Sequence, residues 1–207
     1  MDEKVEEDKQ GDNKALFIQR FIAFIIDMVL VVLFASIISA PFLDTKKIEK
    51  LENEQKKIVE KFQKQEMSIE DYYISYSDVY YKTTRNTGII SIVTILFEIT
   101  YFVVFQLYNK GQTLGKKIMK IRVVSNDGEL FMNQMIYRSL LSNLILMHLL
   151  TFILMLFCPK NIFFVLSFSI EIIQYLIMFV SVIMISSKKS GCAIHDKLAH
   201  TKVIREG

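Results

Sequence analysis

Residues 20–34 read RFIAFIIDMVLVVLF. The stretch is almost pure hydrocarbon, yet it opens on Arg20 and carries Asp27 two helical turns later. It belongs to an apolar run from about residue 17 to 40. A helix of roughly 20 apolar residues crosses a bilayer core of about 30 Å. Three further runs occupy 89–108, 139–157 and 162–186, the third being the shortest. The chain has 207 residues, is 52% hydrophobic and has a mean hydropathy of +0.32. Burying four helices that are apolar all round in so short a soluble chain is not feasible, so the runs read as membrane spans.

The first run reads as a span rather than a cleaved leader. Its apolar core exceeds a leader's, acidic residues precede it, and Pro41 follows the small residues Ser39 and Ala40. Residues 1–15 are acid-rich and polar and read as a disordered cytoplasmic N-terminus. The membrane domain then covers 16–207. Loop 109–138 is rich in Lys and Arg, as is the tail after 186, and short basic loops stay cytoplasmic. Both termini are therefore expected inside, in a multi-pass protein of the plasma membrane. Cys158 and Cys192 fall on opposite sides in this topology, so no disulfide is expected.

Segment 41–88 would lie outside as an insertion. Its nine Lys and Arg balance its nine Asp and Glu, so the charge rule does not place it. Ile48, Leu51, Ile58, Val59 and Phe62 recur near helical spacing, and Ser68 with Asp71 resembles an N-cap. Tyr72, Tyr76 and Tyr80 form an i, i+4, i+8 stripe, read as packing or headgroup contact rather than a ligand surface. The segment predicts a helical hairpin. Ile118 to Val124 and the tail HTKVIRE are β-prone and are expected to pair, with Asn126-Asp127-Gly128 as a turn. The expected fold is thus an all-α membrane protein: four transmembrane helices, an extracytoplasmic helical hairpin and a small cytoplasmic β-containing cap.

GQTLGKK, residues 111–117, is not a phosphate loop: three residues separate its glycines, and a second Lys stands where Ser or Thr is needed. Its lysines suit anionic headgroups. His195-Asp196 has no second metal-ligand cluster beside it, and no nucleophile set stands out, so no cofactor, metal or enzymatic activity is expected. The stronger constellation is one ionisable residue per span at similar depth: Asp27, Glu98, His148 and Glu171. Such groups are costly in a bilayer and mark function by default. As hydrogen-bonded glue they would serve packing alone, with Asn143 and Gln174 as partners. Arg20 and Asp27 share a helix face but lie about 10.5 Å apart along the axis, too far to pair directly. Arg20 can snorkel to the headgroups; Asp27 cannot.

The first span (Arg20, Ala23, Asp27), the loop GQTLGKKIMKIRVVSNDG with Arg138 after it, and the tail HDKLAHTKVI together resemble the RDD family of bacterial multi-pass membrane proteins, named for one arginine and two aspartates. The resemblance makes Arg20 and Asp27 the first two of these and Asp196 the third, with Asp127 a rival for that place; Arg20 and Asp196 are expected to meet at the cytoplasmic face and lock the cap to the first span. It makes Gly111, Thr113, Gly115, Lys116, Asp127, Gly128, Arg138, His195 and Thr201 motif positions. The sequence departs from the pattern at His200, where glycine is common, and in carrying the 41–88 insertion. The resemblance implies a multi-pass membrane protein and gives a mild push toward transport. Two functions follow as expectations: transport of a small cation or a proton-coupled ligand along Asp27, Glu98, His148 and Glu171, or a non-transporting scaffold that docks a protein partner on 41–88. The other partners expected are the lipid bilayer and a second copy of the chain, and none is a nucleic acid.

Overall fold

The computed structural model describes residues 13–186 and 191–206. Of the described residues 76% are helical, and they include a single two-stranded sheet. Three helices are long and apolar enough to cross a membrane, or four if a bent pair is one span. They are α1 (Phe17–Ser39), α4 (Gly88–Tyr108) and α8 (Lys160–Ser186). Between them lie α2 (Thr45–Gln63), α3 (Ile69–Asn86), the short α5 (Leu114–Ile118), β1 (Ile121–Ser125), α6 (Met132–Ser142) and α7 (Ile145–Phe157). After α8 come α9 (Ile194–Leu198) and β2 (Thr201–Arg205).

The third apolar run is not a straight span. It is broken into α6 and α7 at Asn143-Leu144, where Leu144 adopts φ +65°. Neither residue is Gly or Pro, so the sequence carried no breaker signal there.

Two compact units emerge. One comprises Leu96–Leu146 with the stretches that end at Phe34 and begin at Gln174; the other comprises Ala35–Ile95 and Met147–Ile173. In the second unit α2 and α3 form a hairpin. The Lys47 N–H donates to Asp44 Oδ1 (3.1 Å) and the Asp71 N–H to Ser68 Oγ (3.0 Å), which satisfies donors that an isolated helix start leaves free. Leu51, Ile58 and Val79 are buried together, with Met67, Tyr72 and Tyr76 against them. The tyrosine stripe is used in packing: Tyr72 stacks on Phe62 (4.3 Å between centroids), while Tyr76 and Tyr80 meet Phe164 edge-on. Asp78 takes Lys82 and Lys160, each at 2.6 Å, and their hydrogen bonds hold its carboxyl below the ordinary range.

In the first unit β1 and β2 pair antiparallel with Val123 opposite Val203. Both valines are buried with Ala15, Ala23, Ile121 and Met135. Of the N-terminal tail, residues 1–12 lie outside the described residues. Lys14 and Ala15 correct the expectation for its last positions: Lys14 bridges Ile204, and the Ala15 N–H donates to the Val203 carbonyl (3.1 Å). The basic tail residues Lys188 and Lys189 also lie outside the described residues.

Leu51→Ala is expected to leave a void in the hairpin core and cost about 2–5 kcal/mol. Hydrogen exchange on the purified protein should then speed up across α2 and α3 while β1 and β2 stay protected.

Candidate functional site

The apolar face of α1 is exposed except along one stripe. Ala23, Asp27 and Val31 are buried at four-residue spacing. A carboxylate in that stripe must gather donors or lose its charge. Asp27 gathers three. Oδ1 accepts from the Tyr101 hydroxyl (2.7 Å) and the Gly115 N–H (2.8 Å), and Oδ2 accepts from the Thr113 hydroxyl (2.5 Å).

Two local devices bring those donors in. Tyr101 sits in a π-helical turn, Thr100–Phe105, inside α4. Such wide turns are rare overall and are frequent at functional sites. The other donors belong to the start of α5, where Thr113 is the N-cap and also accepts from the Lys116 N–H (3.3 Å). The Leu114 N–H donates to the Tyr101 hydroxyl (2.9 Å). The glycines of this loop have separate duties. Gly111 has φ +83° and lies against the Val123 carbonyl, so a side chain is excluded on both counts. At Gly115 a Cβ would strike the Ala23 carbonyl and stand 2.8 Å from Asp27 Oδ1. The loop that resembles a phosphate cradle instead cradles the protein's own carboxylate.

Asp196 anchors a second cluster and is fully buried. Arg20 Nη1 donates to Oδ2 (2.9 Å), Arg138 Nη1 donates to Oδ1, and the Ala193 N–H donates to Oδ2 (3.1 Å) at the start of α9. Arg20 Nη2 donates to the Gly191 (2.8 Å) and Val203 (3.4 Å) carbonyls, and Arg138 Nη1 also reaches Thr201 Oγ1 (3.2 Å). The expected contact between Arg20 and Asp196 is present, and Arg20 turns to this carboxylate rather than to the headgroups. Asp196 and Asp127, the two candidates for the family's third motif position, stand in different surroundings. Asp127 is exposed beside Gly128 in a surface turn, 4.0 Å from the exposed His200.

A cavity of about 330 Å³ lies beside both clusters, within the range of small-molecule sites. Its lining includes the apolar Phe21, Ile25 and Met178 and the polar Arg20, Asp27, Lys116, Arg138, Ser181 and His195. Lys116, expected at the headgroups, is half-buried here and donates to Gln106 Oε1 (3.2 Å). Burial, and then the Arg138 charge, pull its ammonium down to about 7, while Asp27 acts in the opposite direction. Burial and the charges of Arg138, Arg20 and Lys116 hold His195 well below its ordinary value. Its Nε2, 3.7 Å from Asp196 Oδ1, is thus a neutral neighbour and not a salt-bridge partner.

Residues 14–200 match the RDD family. The chain belongs to the RDD family. No curated protein and no solved structure matches it. In this RDD protein Arg20 and Asp196 meet directly, and Asp27 serves a different set of partners. Glu98 is fully buried in α4 of the first unit, whereas His148 and Glu171 belong to the second. Tyr101, which holds Asp27, was not singled out from sequence. Its one signal was a phenol inside an apolar span, where a buried hydroxyl needs a partner. Among the described residues no three His, Cys, Asp or Glu side chains gather as a metal site.

Removing one partner of a buried ion cluster costs about 3–5 kcal/mol, because the remaining charges are left bare. Asp196→Ala should show that loss as a lowered thermal midpoint, larger than that of Asp127→Ala. Lys116 gives a pH test. Its folded value lies below the ordinary 10.5, so the unfolded chain binds more protons between about 7 and 10.5. The destabilisation from this group is full below about 7 and is relieved as pH rises through that window. Carbon-13 dimethylation of Lys116 should give a shift midpoint near neutrality, and Lys116→Met should flatten the stability profile there.

Proposed function

We propose that this RDD protein is a transporter of the plasma membrane, with both termini cytoplasmic, and that the cavity of the first unit is its ligand site. One observation carries the reading: a cluster of buried ionic groups borders a cavity and does not fill it. Groups serving only as glue would be consumed in packing. Here Arg20 Nε and Ser181 Oγ are buried without a partner, and both residues line the cavity. Of the two cargoes the sequence allows, a proton-coupled ligand is favoured over a bare cation. Both carboxylates already hold three donors each, leaving little for a cation to bind. Lys116, balanced near neutrality, is the group best suited to take up and release the proton.

Proteoliposomes loaded with a pH-sensitive dye test this under imposed pH, Na⁺ and K⁺ gradients. Wild type should move protons faster than empty vesicles, and Asp27→Asn should lower that rate about tenfold, the effect of about 1.4 kcal/mol. Glu98→Gln, His148→Gln and Glu171→Gln are expected to lower it as well. Equal flux for wild type and Asp27→Asn sinks the role of Asp27.

The scaffold reading keeps one observation in its favour. The α2–α3 hairpin has its own core and caps and carries its charges outward, as a docking module would. Deleting 45–86 separates the two. Transport predicts that flux is impaired; a docking role predicts that flux is untouched while recovery of a membrane partner is lost.

A further inference from the structure

The cavity also states what it would hold, and this rests on reading it as the ligand site. Asp27, in its lining, and Asp196, bound to the lining residues Arg20 and Arg138, each accept from three protein donors. The unsatisfied groups are of the other kind. Arg20 Nε is a buried donor with nothing to donate to, and the Ser181 hydroxyl, on a residue 5% exposed, is also unpartnered. The Lys116 ammonium makes one side-chain hydrogen bond and has three to give. Three cationic side chains, Arg20, Arg138 and Lys116, stand against two carboxylates. An uncompensated positive charge in apolar surroundings is costly, and an anion removes the cost. A cation would find few free acceptors and add to the excess.

Much of the remaining lining is apolar and partly exposed. Phe21, Ile25 and Met178 line the cavity yet are 47%, 45% and 40% exposed. They lie on α1 and α8, the two helices whose remaining faces suit lipid. A small hydrophilic anion would leave these side chains uncovered. An alkyl chain would cover them.

We propose that the cavity binds a single-chain anionic amphiphile, such as a fatty acid or alkyl phosphate. Its oxyanion would lie against Arg20 Nε, Ser181 and Lys116, and its chain between α1 and α8. The oxyanion favours the charged form of Lys116, so binding draws a proton onto it.

The test uses the full chain in phosphatidylcholine nanodiscs, with empty discs as the blank. Adducts are counted by native mass spectrometry, and the Lys116 midpoint is read from its dimethyl signal. Laurate and dodecyl phosphate should add one molecule per chain and raise that midpoint. Dodecylamine and dodecanol, of the same length, should bind about tenfold more weakly or less, the loss expected of one charge-assisted hydrogen bond. Inorganic phosphate should fail to compete. Met178→Trp, which adds bulk to the apolar lining at a residue in neither ion cluster, should abolish laurate binding at an unchanged thermal midpoint. Lys116→Gln should remove the preference for laurate over dodecanol. Equal binding of the amine or the alcohol overturns the proposal, as does competition by inorganic phosphate or unchanged binding in Met178→Trp. Displacement of dodecyl phosphate by phosphatidylglycerol but not by laurate overturns the single-chain assignment. Binding without proton flux retains this site and removes the transport reading; flux without binding does the reverse.

Discussion

A carboxylate placed in hydrocarbon has to be surrounded by donors, and that constraint organises the first unit. Asp27 draws in a phenol from α4, a hydroxyl and a backbone N–H from α5. Asp196 draws in guanidinium groups from α1 and α6. Each element is fixed by a partner distant in sequence. With little water to compete, geometry that would be worth little at a protein surface becomes decisive. The motif loop follows from this. Thr113 must be small and hydroxylic to cap α5 and reach Asp27, and Gly115 must lack a Cβ so that α5 can lie against α1.

Much of the fold was legible because it rests on local rules. Apolar run length marked α1, α4 and α8. The Ser68 cap and helical spacing marked the hairpin, and alternation marked β1 and β2. The break at Leu144 was not legible, since a left-handed leucine is dictated by surroundings and not by its own preference. The π-helical turn likewise has no sequence signature that counting reveals. The contact of Arg20 with Asp196 was legible although the two lie 176 positions apart, because Arg20 stands at the end of the first span that shares its side with the tail.

The candidate site was legible in part. Matching depth along four spans made Asp27, Glu98, His148 and Glu171 look equivalent. The structure shows Asp27 in a fully defined donor shell, with two of the others in a different unit. Depth along a helix says nothing about the face a residue occupies or what approaches it. Lys116 carried the opposite lesson: one of several loop lysines, it is distinguished by the cavity wall it forms.

The distance in sequence between Arg20 and Asp196 also bears on biosynthesis. A chain made from its N-terminus commits α1 to the membrane long before residue 196 exists. Until then Arg20 and Arg138 lack the acceptor that neutralises them. The arrangement acts as a completeness check. A chain interrupted between α6 and α9 keeps two bare guanidinium groups, which set it apart from a finished one.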